Sequence, residues 1–288
     1  MEDRIPISTD HHHSRSIETL SSNTLFHFTG KIEYLENILD VGLAPRYSLE
    51  DLSMFKWHRM ETNSNPKVAI PMVCFCDIPL SKVKDHLSWY GNYGIGIDKK
   101  WGIDQGICPI LYVDPLSATT EAIINALNGY TKIWLEGLKA EKEYPELMKV
   151  IDSGIINSIE RFMNFTKPYI GPFSHNGRND EAKIFYDERE WRFVPELHQI
   201  QLRNILIEGE PNFENLKNES NFKITQHKNL CIPITPINIK YIIVENEDDI
   251  LPIMTKLESK FKSQNYNETS LKKLMASIIT TKQIREDF

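Results

Sequence analysis

Short runs of β-branched and aromatic residues recur along this chain, each bounded by Gly, Pro, Asn or Asp. That recurrence limits the fold more than any other feature. NTLFHFT (23–29), VAIPMVCFCDIPL (68–80), NYGIGIDKKW (92–101), CPILYVDP (108–115), IFYDEREWRFVP (184–195) and IKYIIVENE (239–247) all read as strands. In the first, Leu25, His27 and Thr29 share one face while Phe26 and Phe28 share the other, because side chains alternate across a strand. Gly94 and Gly96 inside the third invite close backbone approach or a bulge. Cys74 and Cys76 alternate with apolar residues on one strand face.

Helical spacing fills the intervals. KIEYLENILDVGLAP places Ile32, Leu35, Ile38 and Leu39 on one stripe, and Gly42 and Pro45 end it. LSKVKDHLSWYG reads as a short helix with Ser81 as N-cap. Residues 47–67 read as an irregular loop and 167–180 as another. From about 117 to 170 the pattern is helical, an inserted lobe between strands. The expected fold class is α+β, with a mixed, largely antiparallel sheet core. The expected layout is a disordered or extended tail over 1–22, one domain over 23–265, and a C-terminal helix or tail over 266–288.

The chain has 288 residues, enough for a sizeable core. A formal net charge of −7 argues against a general polyanion binder. No apolar run is long enough to span a bilayer, and MEDRIPISTD lacks the features of a secretory signal. Four scattered cysteines fit a reduced, cytoplasmic protein better than a disulfide framework, and Cys74-x-Cys76 without a second pair gives no metal site. No Walker loop, nucleophile elbow or H-E-x-x-H is present. The glycines of YGNYGIGI start a strand, where a dinucleotide fingerprint would open a helix.

Chemistry then rests on a histidine on an early strand, aromatics in the middle, and a glutamate late. A lone strand histidine such as His27 is more often structural than functional. Trp89, Tyr90 and Tyr93 suit either a core or a stacking wall. On one continuous strand Glu188, Glu190 and Arg192 share a face, and Trp191 and Phe193 lie on the other. Alternation alone buries the two aromatics and leaves the charges solvated, with Arg192 softening the acidic pair and holding Glu190 in place.

In combination and in this order, LFHFTGKIEYLENILDVGL, CFCDIPLSKVKDHLSWYGNYGIGIDKKWG, PILYV and FYDEREWRFVP resemble the AbiGi-type abortive-infection proteins of bacterial phage defence. The resemblance runs from about 24 to 195 and implies a cytoplasmic defence protein paired with a toxin or antitoxin. A more distant resemblance is to the ADP-ribosyltransferase fold, whose members use NAD as a substrate without a Rossmann domain. His27-Phe28-Thr29 stands where the diphtheria-toxin and poly(ADP-ribose) polymerase branch has His-Gly-Ser or His-Gly-Thr, departing at Phe28. Cys74 stands where that branch has its first tyrosine, and Tyr90 is the candidate for its second. Glu188-Arg189-Glu190 matches a Glu-x-Glu signature with catalysis on the second acid. The start of the chain also resembles the DNA-modifying DarT toxins, with Arg46 nearest to their arginine.

That resemblance implies Glu190 and Glu188 as catalytic carboxylates. It implies His27, Thr29, Arg46, Tyr90 and Tyr93 around NAD, and a nucleic acid or protein as acceptor. A carboxylate near the ribose 2′-hydroxyl stabilises the oxocarbenium character of nicotinamide loss. The loop at 46–66 and the lobe at 117–170 would serve as a lid or target surface. Two functions stay open: an NAD-dependent ADP-ribosyltransferase, or an inactive relative acting as antitoxin or phage sensor.

Overall fold

The computed structural model describes residues 21–55, 67–139, 156–197 and 200–288. Most of the expected tail (1–20), the loop over 56–66 and the lobe's middle over 140–155 lie outside them. Among the described residues the centre is a nine-stranded sheet in the order β13-β12-β4-β1-β3-β10-β5, with β2 and β11 also paired to β3. These strands are β1 (Thr24–Thr29), β2 (Arg46–Asp51), β3 (Lys67–Cys76), β4 (Tyr93–Asp98), β5 (Cys108–Pro109), β10 (Glu190–Phe193), β11 (Leu206–Ile207), β12 (Ile239–Val244) and β13 (Ile278–Thr280). Only β12 with β13 is parallel, so the class is α+β with a mixed, mostly antiparallel sheet.

One face of the sheet is covered by α1 (Ile32–Val41), α7 (Ile250–Ser263) and α8 (Glu268–Met275). Leu35, Leu39, Ile253, Leu257 and Phe261 are fully buried there against Leu25, Ile95, Ile97 and Phe75. Each such side chain contributes about 1.5–3 kcal/mol by leaving water. Phe26, Phe28, Cys76 and Ile243 form the opposite face, under α2 (Lys84–Tyr90) and α9 (Thr281–Asp287). The remaining helices are α3 (Lys99–Asp104), α4 (Ala118–Lys139), α5 (Ile156–Asn164) and α6 (Phe213–Gln226). Gly94 and Gly96 meet their expected close approach. A Cβ at Gly94 would stand 2.8 Å from the His27 carbonyl oxygen, and one at Gly96 2.8 Å from the Phe26 ring.

Several expectations need correction. The stretch 167–180 is no simple loop: it supplies β7 (Thr166–Pro168), which pairs in parallel with β6 (Leu111–Val113). It also supplies the first strand of a separate hairpin, β8 (Ile170–His175) with β9 (Arg178–Ile184). Asn176 and Gly177 at its tip both have positive φ, 50° and 78°, the backbone of a two-residue hairpin turn. Asn-Gly between two runs was the signal for a hairpin, and loop-like composition concealed it. Residues 46–51 are the strand β2. The inserted region therefore holds α4, α5 and β7 among its described residues, not helices alone. Ser81 caps no helix, because 80–82 form a 3-10 turn and α2 starts at Lys84. The closing segment is helix, strand and helix, and its strand β13 joins the main sheet.

Candidate functional site

IFYDEREWRFVP is not one strand. Phe185–Glu188 form a 3-10 turn, Arg189 takes a left-handed conformation at φ 44°, and only Glu190–Phe193 pair in the sheet. That conformation costs a residue with a side chain about 1–2 kcal/mol. It turns the chain so that Glu188 and Glu190 converge on one ammonium. Lys167 of β7 lies 2.9 Å from a carboxylate oxygen of each.

Around this pair a closed charge network is assembled from five parts of the chain. Arg192 donates from Nε to Glu190 at 2.6 Å, from one terminal nitrogen to Glu50 of β2 at 2.8 Å, and from the other to the Asn164 carbonyl at 2.9 Å. Lys183 of β9 pairs with Glu188 at 2.7 Å, off the line of a hydrogen bond. The Tyr90 hydroxyl donates to Glu188, and the Glu190 amide donates to the Tyr112 oxygen at 2.8 Å. Glu50, Glu188 and Glu190 oppose Lys167, Lys183 and Arg192, so three negative charges meet three positive ones. Arg192 is 0% exposed and Glu190 6%, while Trp191 and Phe193 are only half-buried. The expectation of a solvated charged edge is therefore reversed. Both faces of β10 are covered, and the face bearing the charges is the drier one.

Electrostatics follows from that packing. Burial pushes the Glu190 carboxyl up, but Arg192 and Lys167 outweigh it and hold the group well below its ordinary value. Glu188 is lowered in the same way: burial and the like charge of Glu190 push it up, and Lys167 and Lys183 together outweigh them. Burial alone would drive the Lys167 ammonium down, but Glu190, Glu50 and Glu188 raise it. Each oxygen of Glu190 is thus held by a cation, and the group stays ionised as a weak base. Arg192 does hold Glu190, as its spacing implied.

The other residues singled out from sequence divide into separate places. Glu190 and Phe26 both pair across from Cys76, so they share a face, and His27 faces the other side. His27 and Glu190 therefore do not line one cleft, which corrects that expectation. Burial lowers the His27 pKa, and the neutral ring donates from Nδ1 to the Cys74 carbonyl at 2.8 Å. Thr29 pairs directly with Tyr93 on the His27 face. The Tyr93 hydroxyl lies 3.2 Å from Asp249 and 3.3 Å from Glu245. Arg46 starts β2 opposite Met72 and is exposed. Of the predicted set, the structure brings Tyr90, Glu188 and Glu190 together.

Sequence reasoning missed Lys167, Lys183 and Glu50, which lay in stretches read as loop or left unassigned. A cleft of about 420 Å³ opens beside the network, between α2 and the hairpin strand β9. Lys183 and Glu188 reach its inner wall, with His86 and Trp89 beside them. Burial brings the His86 pKa down to about 4, with Glu188 opposing the shift. The Lys183 ammonium sits 4.2 Å from the Phe173 ring centre and 4.3 Å from that of Trp89, and burial lowers its pKa. Among the described residues no group of three or more His, Cys, Asp or Glu is placed to hold a metal. No helix among them is long and apolar enough to cross a membrane.

Residues 42–245, which contain the whole network and the cleft, match the family described as "abortive phage resistance protein AbiGi, antitoxin". The chain belongs to the AbiGi family. An abortive phage resistance protein AbiGi of Lactococcus lactis subsp. cremoris is 27% identical over 263 residues, covering 86% of this chain and all of that protein. No solved structure matches the chain. The AbiGi match makes this an abortive-infection phage resistance protein.

Proposed function

We propose that this AbiGi protein is the antitoxin half of an abortive-infection pair and acts by binding a partner toxin. The observation carrying this reading is the sealed state of Glu190. The carboxylate that NAD chemistry would need is buried with a cation on each oxygen, and His27 lies across the sheet from it. The family's description as an antitoxin supports the same reading. Co-expression with the proposed partner toxin tests it. The protein alone should leave growth unchanged, should restore growth when the toxin is induced, and should co-purify with it. Toxicity of the protein by itself would sink the proposal.

The second reading keeps the ADP-ribosyltransferase-like fold, with NAD as substrate and a nucleic-acid or protein acceptor. Its support is the convergence of Glu188, Glu190 and Tyr90 at one place. Incubation with labelled NAD decides it. Label transfer or nicotinamide release that disappears in Glu190→Gln would favour transfer over toxin binding.

A further inference from the structure

The side of α2 facing the hairpin already holds a guanidinium. Arg178 follows the Asn176–Gly177 turn, and its guanidinium carbon sits 4.1 Å over the Trp89 ring centre. One terminal nitrogen donates to the Ser88 hydroxyl, and the other lies 3.4 Å from the Asp85 carboxylate. An aromatic face, a hydroxyl acceptor and a carboxylate together recognise a planar cation.

This occupancy is weak. The Arg178 and Asp85 side chains are 45% and 77% exposed, so water and salt compete with the pair. Asp85, Asp180 and Asp187 are exposed at the cleft, opposed by Arg178 and Lys82. With Arg178 withdrawn, the four carboxylates of Asp85, Asp180, Asp187 and Glu188 would face the two ammonium groups of Lys82 and Lys183, a balance that favours an incoming cation. Behind the seat, Lys183 is fixed among the rings of Trp89 and Phe173, so the wall keeps its shape when Arg178 leaves.

We propose that the Trp89–Ser88–Asp85 seat docks an arginine side chain of the partner toxin, which exchanges with Arg178. The proposal rests on the antitoxin reading and names its contact point. Arg178 occupies the seat in the free protein and is the internal competitor of the incoming side chain.

Two measurements test the seat and the partner separately. In the first, no toxin is present. The Trp89 indole N–H resonance of Arg178→Ala is followed during titration with N-acetyl-arginine amide. A saturable shift is expected, smaller with N-acetyl-lysine amide and abolished by adding Asp85→Asn. Unmoved Trp101 and Trp191 indole resonances report that the fold is kept. No saturable shift, or one indifferent to Asp85→Asn, overturns the proposal. In the second, affinity for the co-purified toxin is measured. Arg178→Ala should tighten binding and Asp85→Asn should weaken it roughly tenfold, about 1.4 kcal/mol. Unchanged affinity in both variants overturns the seat while the antitoxin reading stands. Failure of the wild-type protein to bind toxin overturns both readings of partner binding, even if the seat takes the arginine amide.

Discussion

The two faces of the β1–β3–β10 sheet are both covered but built from opposite materials. Under α1, α7 and α8 the sheet presents Leu25, Phe75, Ile95 and Ile97. On the other side, beyond Phe26 and Cys76, it presents Glu190 and Arg192. The first face is stabilised by area, which is non-directional and forgiving of small changes in shape. The second has removed six charges from water and depends on each finding its partner. Loss of a methylene from the apolar face leaves a small void. Loss of Arg192 from the charged face leaves Glu50 buried without a counterion.

The sharpest way to break this contrast is Arg192→Met, which strips Glu190 and Glu50 of a shared cation. Breaking a buried pair this way costs about 3–5 kcal/mol, read as a fall in the urea midpoint. Glu190→Gln should cost less, about 1–3 kcal/mol, because Lys167 keeps Glu188 and Arg192 keeps Glu50. Ile95→Val on the apolar face should cost only about 0.5–1.5 kcal/mol. If it costs as much as Arg192→Met, the two faces do not differ as described. Arg178→Ala removes an exposed pair and should shift stability by less than about 1 kcal/mol, whatever it does to partner binding.

Acid titration sharpens the comparison through proton linkage. Glu188 and Glu190 have folded pKa values below the ordinary 4.5, so the unfolded chain takes up protons first as pH falls. Their stabilisation is complete above pH 4.5 and is lost as pH drops through the folded values. His86 acts earlier, since its folded value of about 4 lies under the ordinary 6.5. It stays neutral in the fold while the unfolded chain protonates, so stability falls between pH 6.5 and about 4. Urea midpoints across this range should decline in wild type, and His86→Phe should flatten the upper part. A midpoint that rises on acidification from pH 6.5 to 4.5 would contradict the His86 assignment, and one that rises below pH 4.5 would contradict that of the glutamates.

The mixed sheet was legible because alternation in NTLFHFT and VAIPMVCFC marks faces correctly, and paired strands preserve that marking. What alternation does not encode is which face water reaches. Glu190 and Arg192 read as solvated because charged residues on strands usually are, and only the distant Lys167 and Glu50 balance their burial. The separations run from 21 and 23 positions for Lys167 and its two glutamates to 142 for Glu50 and Arg192, and only Lys183 is close in sequence to its partner Glu188. The kink at Arg189 was equally hidden, because a left-handed arginine has no local sequence signature. The hairpin tip is the opposite case. Asn176-Gly177 names its own turn, and only the composition of its flanks obscured it.

Growth of cells expressing this chain, alone and with the proposed partner toxin, tests most directly whether Glu190 holds the fold or does chemistry. Wild type and Glu190→Gln are compared at matched soluble levels. The expected result is that neither is harmful alone and that both neutralise the toxin in proportion to the folded protein present. Killing by the wild-type chain alone, abolished in Glu190→Gln while the folded amount is unchanged, would contradict it.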